Sequence, residues 1–169
     1  LVEVIFGEKT APEVTATIFD LAKKMGKTPV VVKDAPGFLV NRILAPYLGE
    51  GVRLLLEGVP MESIDKGMRK FGMPVGPIEL LDDVGIDVAA KGAETLSSTW
   101  PERMPIDPAF GKLVTSGRLG RKTKKGFYRY EGDKRVGPDP QAYADLGVAS
   151  PGSASISPEA LEERLIYPM

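Results

Sequence analysis

Two polar side chains stand where α/β enzymes keep their chemistry. Glu3 is the one charge in the apolar run Leu1-Val2-Glu3-Val4-Ile5-Phe6. Asn41 stands next to last in the stretch Lys33-Asp34-Ala35-Pro36-Gly37-Phe38-Leu39-Val40-Asn41-Arg42. That stretch joins a β-branched run, Val30-Val31-Val32, to a long apolar pattern of helical period, so Asn41 falls in the first turns of a helix that follows a strand. Strand ends and interfaces with a second domain are the usual ligand sites of α/β proteins. Each residue also has a plainer reading. Glu3 alternates with Val2 and Val4, which suits a solvent-facing strand position, and Asn41 suits a helix-surface or capping amide.

Three further groups invite a chemical reading. Gly49-Glu50-Gly51 is the only Gly-x-Gly, but it lies inside a helical pattern. A dinucleotide fingerprint needs a strand before it and a helix N-terminus after it, so these glycines read as points of close helix packing. Asp82-Asp83 reads as an acidic pair at a helix C-terminus or as a following cap, with no third ligand nearby for a metal. Arg118, Arg121, Lys122, Lys124 and Lys125 form a run of cations without an acid, either a solvated turn or a phosphate contact. The chain has no cysteine and no histidine. Disulfides and thiolate chemistry are excluded, and so are the commonest general base and metal ligand.

The elements that must position these residues follow from period and punctuation. Residues 1–6 and 28–32 are strand candidates, and 12–25 is a helix with Thr10 or Ala11 near its cap, Pro12 in its first turn and Gly26 as its stop. This is a βαβ unit, the tail of a parallel sheet whose other strands are not in this chain. From Phe38 the period is helical: one helix to about Gly58, a second around Ile64, Met68 and Phe71, a third from Pro77, a fourth capped by Asp87 and a short fifth at 110–115. Phe127 to Tyr130 is a brief extended piece. Val136 to Ser157, rich in Pro, Gly, Ala and Ser, reads as a linker or irregular wrap. Ser157-Pro158 opens a last helix with an N-cap serine and proline at the first position. No short-period repeat is evident. Both ends look cut, as in a piece of a longer protein.

Composition narrows the class. The 169 residues are 43% hydrophobic and 27% charged, as in a folded globular chain. A net charge of −1 argues against nucleic-acid binding. No apolar run approaches the roughly 18–20 residues of a transmembrane helix, and no signal peptide opens the chain. A cytoplasmic location is expected.

The motifs resemble those of 3-hydroxyacyl-CoA dehydrogenases. The resemblance is carried in order by residues 1–5, by 33–42, by Gly72-Met73-Pro74-Val75-Gly76-Pro77, and by Gly117-Arg118-Leu119-Gly120-Arg121-Lys122-Thr123 with Lys125-Gly126-Phe127-Tyr128-Arg129-Tyr130 after it. Residues 132–169 are similar to the multifunctional α-subunit of the fatty-acid oxidation complex, in which a second helical repeat follows the first. The resemblance implies a mostly α fold: a helical domain like the C-terminal domain of 6-phosphogluconate dehydrogenase, over residues 38–131, preceded by a βαβ remnant of a Rossmann-type NAD domain at 1–37. A linker at 132–157 and the start of a second repeat at 158–169 complete the expected organisation.

It further implies NAD-dependent oxidation of (S)-3-hydroxyacyl-CoA in fatty-acid β-oxidation. NAD is the implied cofactor, an acyl-CoA the implied substrate, and a homo-oligomer through the helical domain the implied assembly. Glu3 matches the glutamate that orients the catalytic histidine, and Asn41 the asparagine near the reacting oxygen. The histidine itself and the Gly-rich NAD loop have no counterpart here, so the 169 residues are expected to be inactive alone. Lys124 departs from the family, which commonly has glycine there. A short-chain 3-hydroxybutyryl-CoA dehydrogenase and a non-enzymatic helical interaction module are the alternatives.

Overall fold

A computed structural model describes residues 1–149 and 151–169. The chain divides into two compact units, Leu1–Ile43 and Leu44–Met169.

The first unit is the βαβ element. Strands β1 (Val2–Phe6) and β2 (Pro29–Lys33) lie parallel, from Val2 opposite Pro29 to Phe6 opposite Lys33, joined by helix α1 (Pro12–Lys24). Pro29 opens its strand, where the missing N–H costs least. Ala11 is the N-cap of α1 and gives no side-chain bond, and Pro12 supplies the preset φ of a first helical residue. Thr10 caps nothing in the helix; its Oγ1 accepts the Gly7 N–H instead. Only Val4 and Ala22 are fully buried in this unit. The apolar stripe of α1 is exposed: Val14, Ile18, Leu21 and Met25 retain 54, 44, 50 and 64% of their accessible surface.

Helix α2 (Val40–Leu56) begins in the first unit and continues into the second. The second unit adds α3 (Met61–Phe71), α4 (Pro77–Val84), α5 (Ile86–Thr99) and α6 (Ala109–Thr115), then a single 3₁₀ turn at Arg121–Thr123. Strands β3 (Tyr128–Glu131) and β4 (Lys134–Pro138) form an antiparallel hairpin with an irregularity between Arg129 and Tyr130. Helices α7 (Pro140–Leu146) and α8 (Pro158–Ile166) follow. The core is built from Tyr47, Leu54, Leu55, Ile64, Met68, Ile78, Leu81, Ile86, Leu113 and Phe127, and α7 and α8 extend it with Tyr143, Leu146, Leu161 and Leu165.

Two expectations are corrected here. The stretch 132–157 is not a simple linker, since it contains β4 and α7, whose Ala142, Tyr143 and Leu146 are buried. The Tyr143 hydroxyl accepts the Met61 N–H at 2.9 Å, fixing α7 to the start of α3. Ser150 lies outside the described residues. The fourth helix is not capped by Asp87 either: α5 starts at Ile86 with Gly85 as its N-cap, and Asp87 sits in the first turn, paired with Lys122. At the last helix Ser157 does cap α8, its hydroxyl accepting the Ala160 N–H, with Pro158 first in the helix.

Candidate active-site corner

Glu3 is the second residue of β1, half-buried, and is not a free solvent-facing residue. One of its carboxylate oxygens, Oε1, accepts the N–H of Leu39 at 2.7 Å and of Val40 at 3.2 Å. These donors stand at the N-terminus of α2, where backbone N–H groups have no partner within the helix. A negative charge there is further favoured by the aligned peptide dipoles. Among the described residues no hydrogen bond engages the other oxygen, Oε2. Asn41 is the second residue of α2, exposed, and its carboxamide makes no hydrogen bond among the described residues. The two expected site residues therefore meet at one corner, through the helix start and without touching each other by a hydrogen bond. The chain reaches that corner through two consecutive residues of positive φ, Gly37 (73°) and Phe38 (43°).

The other candidates have structural roles. Gly51 packs against Pro77, whose Cβ and Cγ would stand 3.0 Å from an added methyl, whereas Gly49 faces open space. Asp82 is buried in α4 and accepts the N–H of Phe127 and Tyr128 and the hydroxyl of Tyr130. Its carboxylate is thus consumed in holding the β3–β4 hairpin. Burial raises its pKa above the ordinary range, against the pull of those donors. The basic run divides: Arg121, Lys122, Lys124 and Lys125 are exposed, as in a solvated turn, whereas Arg118 is buried. Arg118 is fully buried and donates to Asp139, to Asp145 and to the Gly126 carbonyl. Lys122 pairs with Asp87, Lys124 with Asp133 and Arg121 with Asp83.

A second buried carboxylate escaped the sequence reading. Asp65, on α3, accepts the N–H groups of Ile78 and Glu79 at the start of α4, and the Tyr128 hydroxyl at 2.6 Å. Beside it Arg135 pairs with Glu79 and Asp83, over the rings of Tyr128 and Tyr130. Gly76 is required at this point, because a Cβ there would overlap Asp65. The available signal was an acid flanking the apolar stripe Ile64 and Met68, four residues from a further core position.

The described residues do not fit the pyrophosphate of NAD. That group needs free backbone N–H groups at a helix N-terminus after a Gly-rich turn. The turn before α1 has one glycine, Gly7, whose N–H is bonded to Thr10, and the helix opens on Pro12. At the start of α2 the N–H groups of Leu39 and Val40 are taken by Glu3.

Residues 1–35 match the 3-hydroxyacyl-CoA dehydrogenase NAD binding domain, and residues 37–130 the 3-hydroxyacyl-CoA dehydrogenase C-terminal domain. The fatty acid oxidation complex subunit alpha of Shewanella loihica is 49% identical over 170 residues, and that of Shewanella oneidensis 48% over 170. In both, the match covers all of this chain and 24% of the relative's length. The crystal structure of (S)-3-hydroxybutyryl-CoA dehydrogenase from Ralstonia eutropha is 38% identical with a TM-score of 0.73, covering 78% of this chain and 47% of that one. The dehydrogenase part of multifunctional enzyme 1 from Caenorhabditis elegans is 28% identical with a TM-score of 0.68, covering 98% and 38%. NAD is the cofactor to which the first of the two matched domains answers. With two domain matches in register over residues 1–130 and relatives aligned along its whole length, the chain belongs to the 3-hydroxyacyl-CoA dehydrogenase family.

Proposed function

We propose that these residues serve an NAD-dependent (S)-3-hydroxyacyl-CoA dehydrogenase of fatty-acid oxidation, as its acyl-CoA-side helical domain and one corner of its active site. The observation that carries this reading is the meeting of Glu3 and Asn41 at the head of α2. A carboxylate held by backbone donors keeps its place when it orients a base and supports the positive charge that base acquires. Its unengaged Oε2 is the oxygen suited to that task. The exposed carboxamide of Asn41 has an N–H₂ to donate to a substrate oxygen.

The protein has no histidine to act as the base. The 169 residues assayed with acetoacetyl-CoA and NADH are therefore expected to give no NADH oxidation above background. Clear turnover overturns the reading. In the full-length gene product that carries these residues, Asn41→Ala is expected to lower kcat by roughly 10 to 1,000-fold.

Among the described residues no helix is long and apolar enough to cross a membrane; a cytoplasmic enzyme is the reading consistent with this. Self-association with a second copy is supported by the exposed apolar residues of both units, among them Val84 and Val88 at the junction of α4 and α5. The similarity to the Ralstonia enzyme favours a second reading, a dehydrogenase of short-chain substrates. Comparing kcat/KM for four-carbon and sixteen-carbon 3-hydroxyacyl-CoA in the full-length gene product separates the two.

A further inference from the structure

We propose that Glu3 is the positioning residue for Asn41: one carboxylate oxygen fixes the start of α2, and with it the carboxamide on the helix's second residue, while the other is left for a separate task. The inference rests on the reading of Asn41 as a substrate-facing amide, and deepens it.

The cap of α2 is not local. The first intrahelical bond runs from Ile43 N–H to the Leu39 carbonyl, so Leu39 is the N-cap and Val40 the first helical residue. Leu39 has no side-chain acceptor, and the preceding N–H, that of Phe38, is spent on the Ala35 carbonyl. Two of the donors that the helix start leaves without an intrahelical acceptor, on Leu39 and Val40, both go to Glu3 Oε1, 36 and 37 residues away on β1. A helix whose start lacks a serine, threonine, aspartate or asparagine normally frays there. This one is held by a single oxygen from a strand.

The approach to the helix needs such a hold. Phe38 has φ of 43°, a conformation that side-chain-bearing residues keep only when their surroundings over-determine it. Asn41 follows three residues later. Its side chain is exposed and without a hydrogen-bond partner among the described residues, so nothing but the backbone of this turn sets its location. Reacting groups tolerate little displacement, and a shift near 1 Å costs on the order of a hundredfold in rate. Control of the Leu39–Val40 peptide is thus control of Asn41.

The test separates oxygen from charge. Glu3→Gln keeps an acceptor oxygen and removes the charge; Glu3→Ala removes both. In the 169-residue chain, amide hydrogen exchange at Leu39 and Val40 is expected to be alike for Glu3 and Glu3→Gln and about tenfold faster or more in Glu3→Ala. Equal exchange in all three overturns the proposal. Should Glu3→Ala fold poorly, Val40→Pro deletes one donor with Glu3 intact, at a position where proline is tolerated, and is expected to speed exchange at Leu39.

In the full-length gene product, Asn41→Ala is expected to lower kcat by the same factor in the parent and in Glu3→Gln, and by less than about twofold in Glu3→Ala, where the amide is already displaced. The same loss in all three backgrounds overturns positioning while leaving Asn41 a catalytic residue. No loss in any background overturns the catalytic reading of Asn41, and this proposal with it.

Discussion

Asp65 carries opposing forces in one side chain. Two backbone donors and the Tyr128 hydroxyl favour its ionised form, but burial dominates and pushes its pKa up to about 7. The folded state therefore holds a proton more tightly than the unfolded chain. The resulting stabilisation is fully present below the unfolded value near 4 and is lost as pH rises through about 7, at roughly 1.4 kcal/mol per unit of pKa difference. Denaturant unfolding at pH 5 and pH 7.5 is expected to show the parent gaining stability over Asp65→Asn on acidification; a gap independent of pH would refute this. Lys124 is a second residue-scale case. Its φ of 57° is left-handed, and its pairing with Asp133 is exposed. Relief of the backbone outweighs so weak an ion pair, so Lys124→Gly is expected to stabilise by about 0.5–1 kcal/mol, read as a higher Tm. The departure at Lys124 was legible in the sequence. The burial of Asp65 was not, because its partners lie 13, 14 and 63 residues away and no local pattern announces them.

At the scale of elements, period and punctuation located the helices well wherever a long apolar stripe met a proline or glycine. α3 with Gly72 and α4 with Pro77 are examples. They did less well between 132 and 157, where small residues and prolines masked a helix. The signals were present: Asp139 caps α7 through the Gln141 N–H, Pro140 stands first in it, and Gly147 ends it in the left-handed region. Tyr143 is what makes α7 part of the unit. Tyr143→Phe leaves the Met61 N–H buried without its acceptor and is expected to cost about 1–2 kcal/mol in chemical denaturation, with little change in m-value. α8 is held comparably, with Leu161 and Leu165 buried and Arg164 paired with Glu50 of α2 and with Glu57 just past its end. The site at the head of α2 was legible as a strand-to-helix junction. Its capping by Glu3 was not, since strand alternation alone turns that side chain toward solvent.

For the whole molecule, the two units differ in how much they bury. The second has a continuous core, whereas the first buries only Val4 and Ala22 and leaves the stripe Val14, Ile18, Leu21 and Met25 uncovered. Exposed apolar stripes favour association. Light scattering at high micromolar concentration is expected to show a dimer or larger species, reduced toward monomer by Ile18→Lys with Leu21→Lys; a monomeric parent counts against it. The pairing of Arg118 with Asp139 and Asp145 bears on how this protein can be rearranged in evolution. The family match ends at residue 130, yet a buried guanidinium within it takes its counter-ions from beyond that point. Recombination between 118 and 139 would strand the charge, at a cost of roughly 3–5 kcal/mol. The unit of inheritance is therefore longer than the matched domain, and a viable crossover has to fall outside residues 118–145.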